Sequence, residues 1–197
     1  MIKQYVVIMV AIIYYILCII YYKSVILRGE NMLYPAQLYR DEIKKKTTAC
    51  WYQPKYKYYF TGNYHEVDIA DNVDYRRDFA CVNNNEVIGY FSYFYNEASR
   101  SMVNFGLISF VDNGSILIRD VIKHIKTMLE NGTQRIEFWF IDDNPAQKLY
   151  YKLLYRYGGR VVGYLKRTCF FDGKFHNTMI FEFTIEDYQK ACEQKDN

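Results

Sequence analysis

Residues 142–164 read DDNPAQKLYYKLLYRYGGRVVGY, and this stretch decides the fold. Its first residues, Asp142 to Asn144, are types that cap helices. Pro145 follows at the first helical position, where a missing N–H costs nothing. The stretch therefore predicts a helix from Pro145 to about Tyr157, which Gly158-Gly159 ends.

A hairpin is predicted immediately after this helix. Arg160 to Phe171 and Lys174 to Ile185 are rich in β-branched and aromatic residues, and Asp172-Gly173 between them is a strong signal for a tight turn. The chain after Asp187 is polar, and we expect it to fray.

A strand–helix–strand unit is predicted before the helix. Ser101 to Phe110 and Arg135 to Ile141 have the composition of strands. Between them, Ile116 to Leu129 has apolar residues at helical spacing, and Asn131-Gly132 supplies a stop. Because a helix connects them, the two strands should be parallel neighbours or near neighbours.

Two more strands precede this unit, Asp78 to Val82 and Glu86 to Tyr95, and short connections predict an antiparallel meander. Leu33 to Cys50 is interpreted as a short helix or helix pair, and Trp51 to Tyr75 as a loop with short helical or extended pieces. The fold class is α/β in the α+β sense: a mixed, mostly antiparallel central sheet flanked by helices.

The composition excludes several classes of function. The chain has 197 residues and a net charge of +3 with both signs interspersed, so we expect one domain and no nucleic-acid partner. Five scattered cysteines without a CxxC pair, and three histidines not spaced with them, predict neither disulfides nor a metal site. This cysteine usage fits a reducing, cytoplasmic setting.

The N-terminus carries a long apolar run, residues 5–22, which predicts a hydrophobic helix just long enough to cross a bilayer. Two interpretations stay open. Residues 1–31 are either a membrane anchor that leaves the rest of the chain on the cytoplasmic side, or a mis-assigned start with Met32 as the true first residue. The predicted organisation is this segment, a domain over residues 32–188, and a polar tail over 189–197.

From about Asp78 to Tyr188 the chain resembles the GNAT superfamily of acetyltransferases. Ala146, Leu149 and Tyr150 match the family's Asn-x-x-Ala-x-x-Leu-Tyr pattern at the right mutual spacing. Lys152 matches a common basic position. Asp143 stands in the usual asparagine position, with Asn144 one place later, and Leu154-Tyr155 replaces the usual Gly-Phe. The resemblance implies an acyl-CoA N-acyltransferase fold.

The resemblance also implies a reaction: direct transfer of an acetyl group from acetyl-CoA, the co-substrate, to a primary amine. The family binds CoA where the strands at Ser101–Phe110 and Arg135–Ile141 splay apart, with its pyrophosphate at the start of the next helix. Tyr150 would hydrogen-bond the sulfur and protonate the leaving thiolate. The implied cofactor-binding residues are Leu107, Ile108, Ser109, Asn113, Gly114, Ser115, Ile116, Asn144, Ala146 and Tyr150.

The general base is less defined by the sequence. Glu137 is the first candidate, and the other carboxylate and histidine candidates are Glu97, Asp142, His65 and His176. The pyrophosphate loop also departs from the family, because it retains one glycine, Gly114, and carries Asp112, which would repel phosphate unless it caps the helix or turns away.

Alternatives to catalysis stay open. These departures favour, as the second hypothesis, a non-catalytic GNAT-like binding protein, either free or membrane-tethered. A third hypothesis, an aromatic-rich module for nucleic acid or sugar, has little charge clustering to support it. A small amine, an antibiotic, a protein N-terminus or a lysine all stay open as acceptors, and so does a homodimer.

Overall fold

The computed structural model describes residues 33–59, 67–69 and 75–194, which form seven strands and four α-helices. The strands are β1 (Leu33–Pro35), β2 (Arg76–Asn83), β3 (Glu86–Asn96), β4 (Ser101–Ser109), β5 (Arg135–Ile141), β6 (Arg160–Phe171) and β7 (Lys174–Thr184). The α-helices are α1 (Arg40–Trp51), α2 (Ser115–Glu130), α3 (Gln147–Arg156) and α4 (Ile185–Glu193), and 3₁₀ turns lie at Ala36–Tyr39 and Pro54–Tyr56.

All seven strands join one sheet in the order β1-β2-β3-β4-β5-β7-β6. Every neighbouring pair is antiparallel except β4 and β5, which are parallel. The mixed, mostly antiparallel sheet and the parallel pair around a helix are therefore confirmed.

Several local predictions also hold. The helix after Gly114 and the hairpin around Asp172-Gly173 form as expected, with Gly173 at φ +73°. The decisive helix, α3, begins at Gln147, two residues after Pro145, because Asn144 first closes a turn in which its Oδ1 accepts from the Ala146 N–H at 2.9 Å.

Two local predictions were wrong. Leu33–Pro35 is an edge strand that pairs with β2, ahead of the expected helix. Residues 185–193 form α4 instead of a frayed tail, because Thr184 and Asp187 make a capping box that satisfies backbone donors at the helix start.

The predicted N-terminal hydrophobic helix lies outside the described residues. Among the helices of residues 33–194 that the structure describes, none has the length and apolar character needed to cross a bilayer.

The parallel pair β4–β5 holds together only at one end. Ser101 pairs with Arg135 and Met102 pairs with Ile136, and no further residue of β4 pairs with β5. Immediately beyond, β4 has a bulge where two residues oppose Tyr93, and Asn104 within it has a φ of +53°. A bulge bends its strand, so β4 turns away from β5 and the sheet splays open towards the carboxyl ends of both strands.

Helices cover the two faces of the sheet unequally. On one face, α1 buries Ile43 and Cys50 in a core with Ala80 of β2. On the other face lie α2 and α3, where Leu154 of α3 packs in a core with Phe181 of β7. The splay therefore opens between α2 and α3.

The helix α2 sits unusually close to the sheet. A Cβ on Gly89 would lie 2.0 Å from the Leu117 side chain, so only glycine admits this approach. About two turns further along α2, His124 packs among aromatic rings, with 4.9 Å between its centroid and that of Phe79. Its Nε2 lies 3.0 Å from the Tyr93 hydroxyl. Burial lowers the pKa of His124 to about 4.

His124 makes the domain sensitive to acid. In the unfolded chain His124 keeps its ordinary pKa of 6.5 and binds a proton below that pH. In the folded chain it binds this proton only at about pH 4. The contribution of neutral His124 to the free energy of unfolding is thus complete above pH 6.5 and is lost as the pH drops towards 4. The free energy of unfolding should fall by at most about 2 kcal/mol between pH 7 and 5. Urea unfolding at both pH values should show this loss in the wild type and a smaller loss in His124→Gln. An equal loss in both proteins would contradict this assignment.

Candidate active site

A cleft of about 260 Å³ opens between the carboxyl-terminal half of β4 and the start of α3. The structure brings five of the predicted cofactor-binding residues together in its walls: Leu107, Ser109, Gly114, Ala146 and Tyr150. They come from three separate segments of the chain, and the splay of the sheet is what lets them meet.

Below the cleft, the splay continues as an apolar cavity between α2 and α3. Leu107, Ile118, Leu149 and Tyr150 line both spaces, so the two adjoin each other. Phe105 and Phe138, which belong to the diverging strands, also line the cavity. An apolar cavity of this kind suits a narrow, uncharged part of a ligand.

A strongly basic groove adjoins the cleft on the outer side of α2 and α3. Five cationic side chains line it, and no carboxylate occurs among the described residues that do so. The cations are Arg119, Lys123, Lys126, Lys152 and Arg156. Ile118 and Leu149 line both the groove and the cleft, so an anion in the groove could be part of a ligand that extends into the splay.

The start of α2 faces the cleft through Gly114. No acidic residue lies in the first turn, so the positive end of the helix dipole is not neutralised there. The Asn113 Oδ1 accepts from both the backbone N–H of Ser115, at 3.2 Å, and its hydroxyl, at 2.5 Å. The next two amides, of Ile116 and Leu117, have no acceptor within the helix and are the ones an anion could use.

Asp112 is the residue expected to repel a phosphate. Its carboxylate lies 2.8 Å from the Lys55 Nζ, and this hydrogen bond lowers the pKa of Asp112. The carboxylate stays charged, but an ammonium accompanies it. Asp112 therefore adds much less negative potential to the cleft than the sequence indicated.

Tyr150, the predicted acid, lies in the first turn of α3. Its ring packs on Phe140 with 4.8 Å between centroids and on Phe138 at 6.0 Å. Burial raises the pKa of Tyr150 above its usual value, so the phenol is protonated at neutral pH. In this form it donates a hydrogen bond, as a partner for a departing thiolate must.

Not every predicted cofactor-binding residue lines the cleft. The Ile108 side chain packs in the core on the α1 face, and the Asn113 side chain accepts from the Ser115 N–H at the start of α2. Ser115 lines the basic groove, and the Ile116 side chain is exposed. Asn144 shapes the turn before α3 through its bond to the Ala146 amide.

The structure also separates the first candidate base, Glu137, from the cleft. Phe138 and Phe140 face Tyr150, and side chains alternate along a strand, so Glu137 and Trp139 face the opposite side of β5. There both line a groove of about 350 Å³ on the part of the sheet that α1 does not cover. The Arg135 guanidinium donates to the Glu137 carboxylate at 2.9 Å.

The remaining candidates for the base lie elsewhere. Glu97 is exposed, with the Arg77 guanidinium 3.9 Å away, and His65 lies outside the described residues. Partial burial acts to raise the pKa of Asp142, but hydrogen bonds from Asn177 and Tyr164 outweigh it and hold the pKa below its usual value. His176 is buried near Asp142, beyond the end of β5.

The segment after α1 forms one rim of the cleft, although no pattern in the sequence singled out a residue there. Lys55, Tyr56 and Tyr59 line the cleft. The Lys57 ammonium pairs with the Asp172 carboxylate of the β6–β7 turn, so this segment and the final hairpin meet at the same rim. Because the loop has no periodicity, no pattern could have predicted this contact.

Comparisons with known proteins identify the fold. No model of a known protein family matches the sequence, and no curated protein does. Among solved structures, the chain is similar to a probable GNAT-family acetyltransferase from Chromobacterium violaceum, with a TM-score of 0.56, 15% identity, and coverage of 73% of this chain and 82% of the other. A chimera of the Vibrio cholerae spermidine N-acetyltransferase with hSSAT gives a TM-score of 0.50, 20% identity, and coverage of 59% and 72%. These likenesses show that the fold is GNAT-like.

The basic groove generates a prediction about salt. If it holds the phosphates of CoA, then Lys152→Gln should weaken CoA binding about three- to fivefold at low salt, because one exposed ion pair is lost. High salt screens such pairs, so the difference should shrink there. Lys148→Gln is the matched control, since Lys148 is exposed on the same helix and lies outside the groove. Calorimetric titrations in which both variants bind CoA equally would argue against this use of the groove.

Proposed function

We propose that this protein is an N-acetyltransferase that transfers an acetyl group from acetyl-CoA directly to a primary amine. The observation that carries the proposal is the splay of β4 from β5, which opens a cleft containing Tyr150 and the start of α2. The free edge of β4 offers backbone N–H groups at the place where a thioester oxygen needs hydrogen bonds.

The donor would bind along one continuous surface. Its phosphates would lie against the amides of Ile116 and Leu117 and against the basic groove, because both supply positive potential. Its pantetheine arm would follow the cleft past Leu107 and Ala146, which offer apolar contacts. This path delivers the thioester to the splay beside Tyr150.

Transfer would proceed through a tetrahedral intermediate. A neutral amine attacks the thioester carbon, and the oxygen takes up the negative charge, which the N–H groups of β4 stabilise. The C–S bond then breaks, and the sulfur leaves as a thiolate that accepts a hydrogen bond from the Tyr150 hydroxyl. The proton that the amine loses finally resides on the CoA thiol.

The acceptor would approach from the opposite face of the sheet. The groove there contains Glu137, which could take the proton of the incoming ammonium, and Trp139, whose indole is 44% exposed. Donor and acceptor would then meet through the gap between the strands. We place the reaction in the cytoplasm, since Cys50, Cys81, Cys169 and Cys192 are free thiols.

The alternative function is a CoA-binding protein without transferase activity. The one carboxylate among the described residues that line the cleft, Asp112, is paired with Lys55, and this favours the alternative because no base is left there. The separation of Glu137 from the cleft points the same way. Binding without turnover would support this alternative.

Calorimetric titration with acetyl-CoA tests the proposal. We expect a single site per chain, a rise in melting temperature on binding, and release of free CoA when a panel of primary amines is added. The absence of binding at millimolar acetyl-CoA would overturn both functions. Binding of acetyl-CoA without release of CoA for any amine would contradict the transferase and support the CoA-binding protein.

Tyr150→Phe tests the chemical step separately. The variant should bind acetyl-CoA nearly as well as the wild type, because the ring still packs on Phe140, but its kcat should fall by about 100-fold through loss of the donor to sulfur. Tyr155→Phe is the control, since Tyr155 lies on the same helix and is 70% exposed. An unchanged kcat in Tyr150→Phe would show that the hydroxyl has no part in the step.

A further inference from the structure

Three potential metal ligands meet beyond the end of β5. One ligand atom from each of Asp142, Asp143 and His176 lies within 4.8 Å of the others. The aspartates follow β5 directly, and His176 lies in β7 on the other side of the hairpin turn. Their separation along the chain explains why spacing alone predicted no metal site.

His176 is the member that points to a bound cation. Its side chain is 2% exposed, and its Nε2 lies 3.3 Å from the Phe171 carbonyl oxygen. A carbonyl oxygen only accepts, so this contact places the proton on Nε2 and leaves a lone pair on Nδ1. The Nδ1 atom is buried without a hydrogen-bond partner, and unsatisfied buried polar atoms are uncommon in folded proteins.

This lone pair faces a carboxylate across a specific distance. The Nδ1 of His176 and the Oδ2 of Asp143 are 3.7 Å apart. That separation is too long for a hydrogen bond, and a bridging water would set the two atoms about 4.6 Å apart. A zinc ion bonded to the nitrogen at ~2.0–2.1 Å and to the oxygen at ~2.0–2.2 Å would, at a tetrahedral angle, hold them roughly 3.3–3.5 Å apart, which is close to this separation.

Asp142 is held in place as a third ligand. Its carboxylate accepts from the Asn177 backbone N–H at 2.9 Å, from the Asn177 amide nitrogen at 2.6 Å, and from the Tyr164 hydroxyl at 3.0 Å. These bonds keep it ionised and fix its orientation, as outer hydrogen bonds do for metal ligands.

We propose that Asp142, Asp143 and His176 bind one zinc ion. One imidazole nitrogen and two carboxylate oxygens suit zinc, and three protein ligands leave a fourth position for water. The ion would tie the loop before α3 to the β6–β7 hairpin. The proposal is independent of acetyl transfer, because it concerns binding at a separate cluster.

Lys174 competes with the ion. Its ammonium lies 3.0 Å from the Asp143 carboxylate, and its side chain is 61% exposed, so it could swing into solvent when zinc binds. A lysine that must be displaced weakens the site. Removing it should therefore tighten zinc binding.

The test is a calorimetric titration of zinc chloride into the chelator-treated full chain. We expect one ion per chain and a higher melting temperature with zinc. Asp143→Asn should weaken binding by at least about 100-fold, and Lys174→Met should strengthen it about two- to fivefold. Asp172→Asn is the control and should change nothing, although Asp172 is an exposed aspartate on the same hairpin and is also paired with a lysine, Lys57.

Each remaining outcome overturns the proposal. These are no binding, equal affinity for wild type and Asp143→Asn, or no gain in Lys174→Met. Asp143 is exposed, so its variant should fold, and circular dichroism checks this. Histidine NMR provides the second measurement, in which zinc should shift the His176 ring nitrogens. A ring protonated on both nitrogens that does not respond to zinc would indicate a simple ion pair with Asp143.

Discussion

The divergence of β4 from β5 is the constraint on which the rest of the structure depends. Two residue pairs hold these parallel strands together, and the bulge at Asn104 then bends β4 away. The bend leaves backbone donors of β4 without strand partners and opens the sheet between its two faces. Helices α2 and α3 flank the opening, and their first turns bring Gly114 and Tyr150 to its edge.

Electrostatics divides the opening into zones with different chemistry. The outer side of α2 and α3 is basic, whereas the cavity within the splay is apolar. Asp112 would disturb this arrangement, but Lys55 pairs with it. On the opposite face, Glu137 and Trp139 line an open groove. A ligand with a phosphate end and a neutral arm fits the first face, and a cationic amine fits the second.

The sequence predicted those parts of the fold that depend on local patterns. Helical spacing predicted α2, and Asp172-Gly173 predicted the final hairpin. The site was predicted only where it lies on such elements, as Tyr150 does. The position of Lys55 and the meeting of Asp143 with His176 depend on tertiary packing, and no local pattern encodes them. The helical spacing of Arg119, Lys123 and Lys126 could have predicted the basic groove.

Hydrogen exchange of the backbone amides, with and without acetyl-CoA, measures the central claim most directly. The splay would hold the thioester, so acetyl-CoA should slow exchange in β4 beyond Met102 and in the first turn of α2, while β2 stays unchanged. Binding that leaves these amides unprotected, or that protects only the β6–β7 hairpin, would contradict the account.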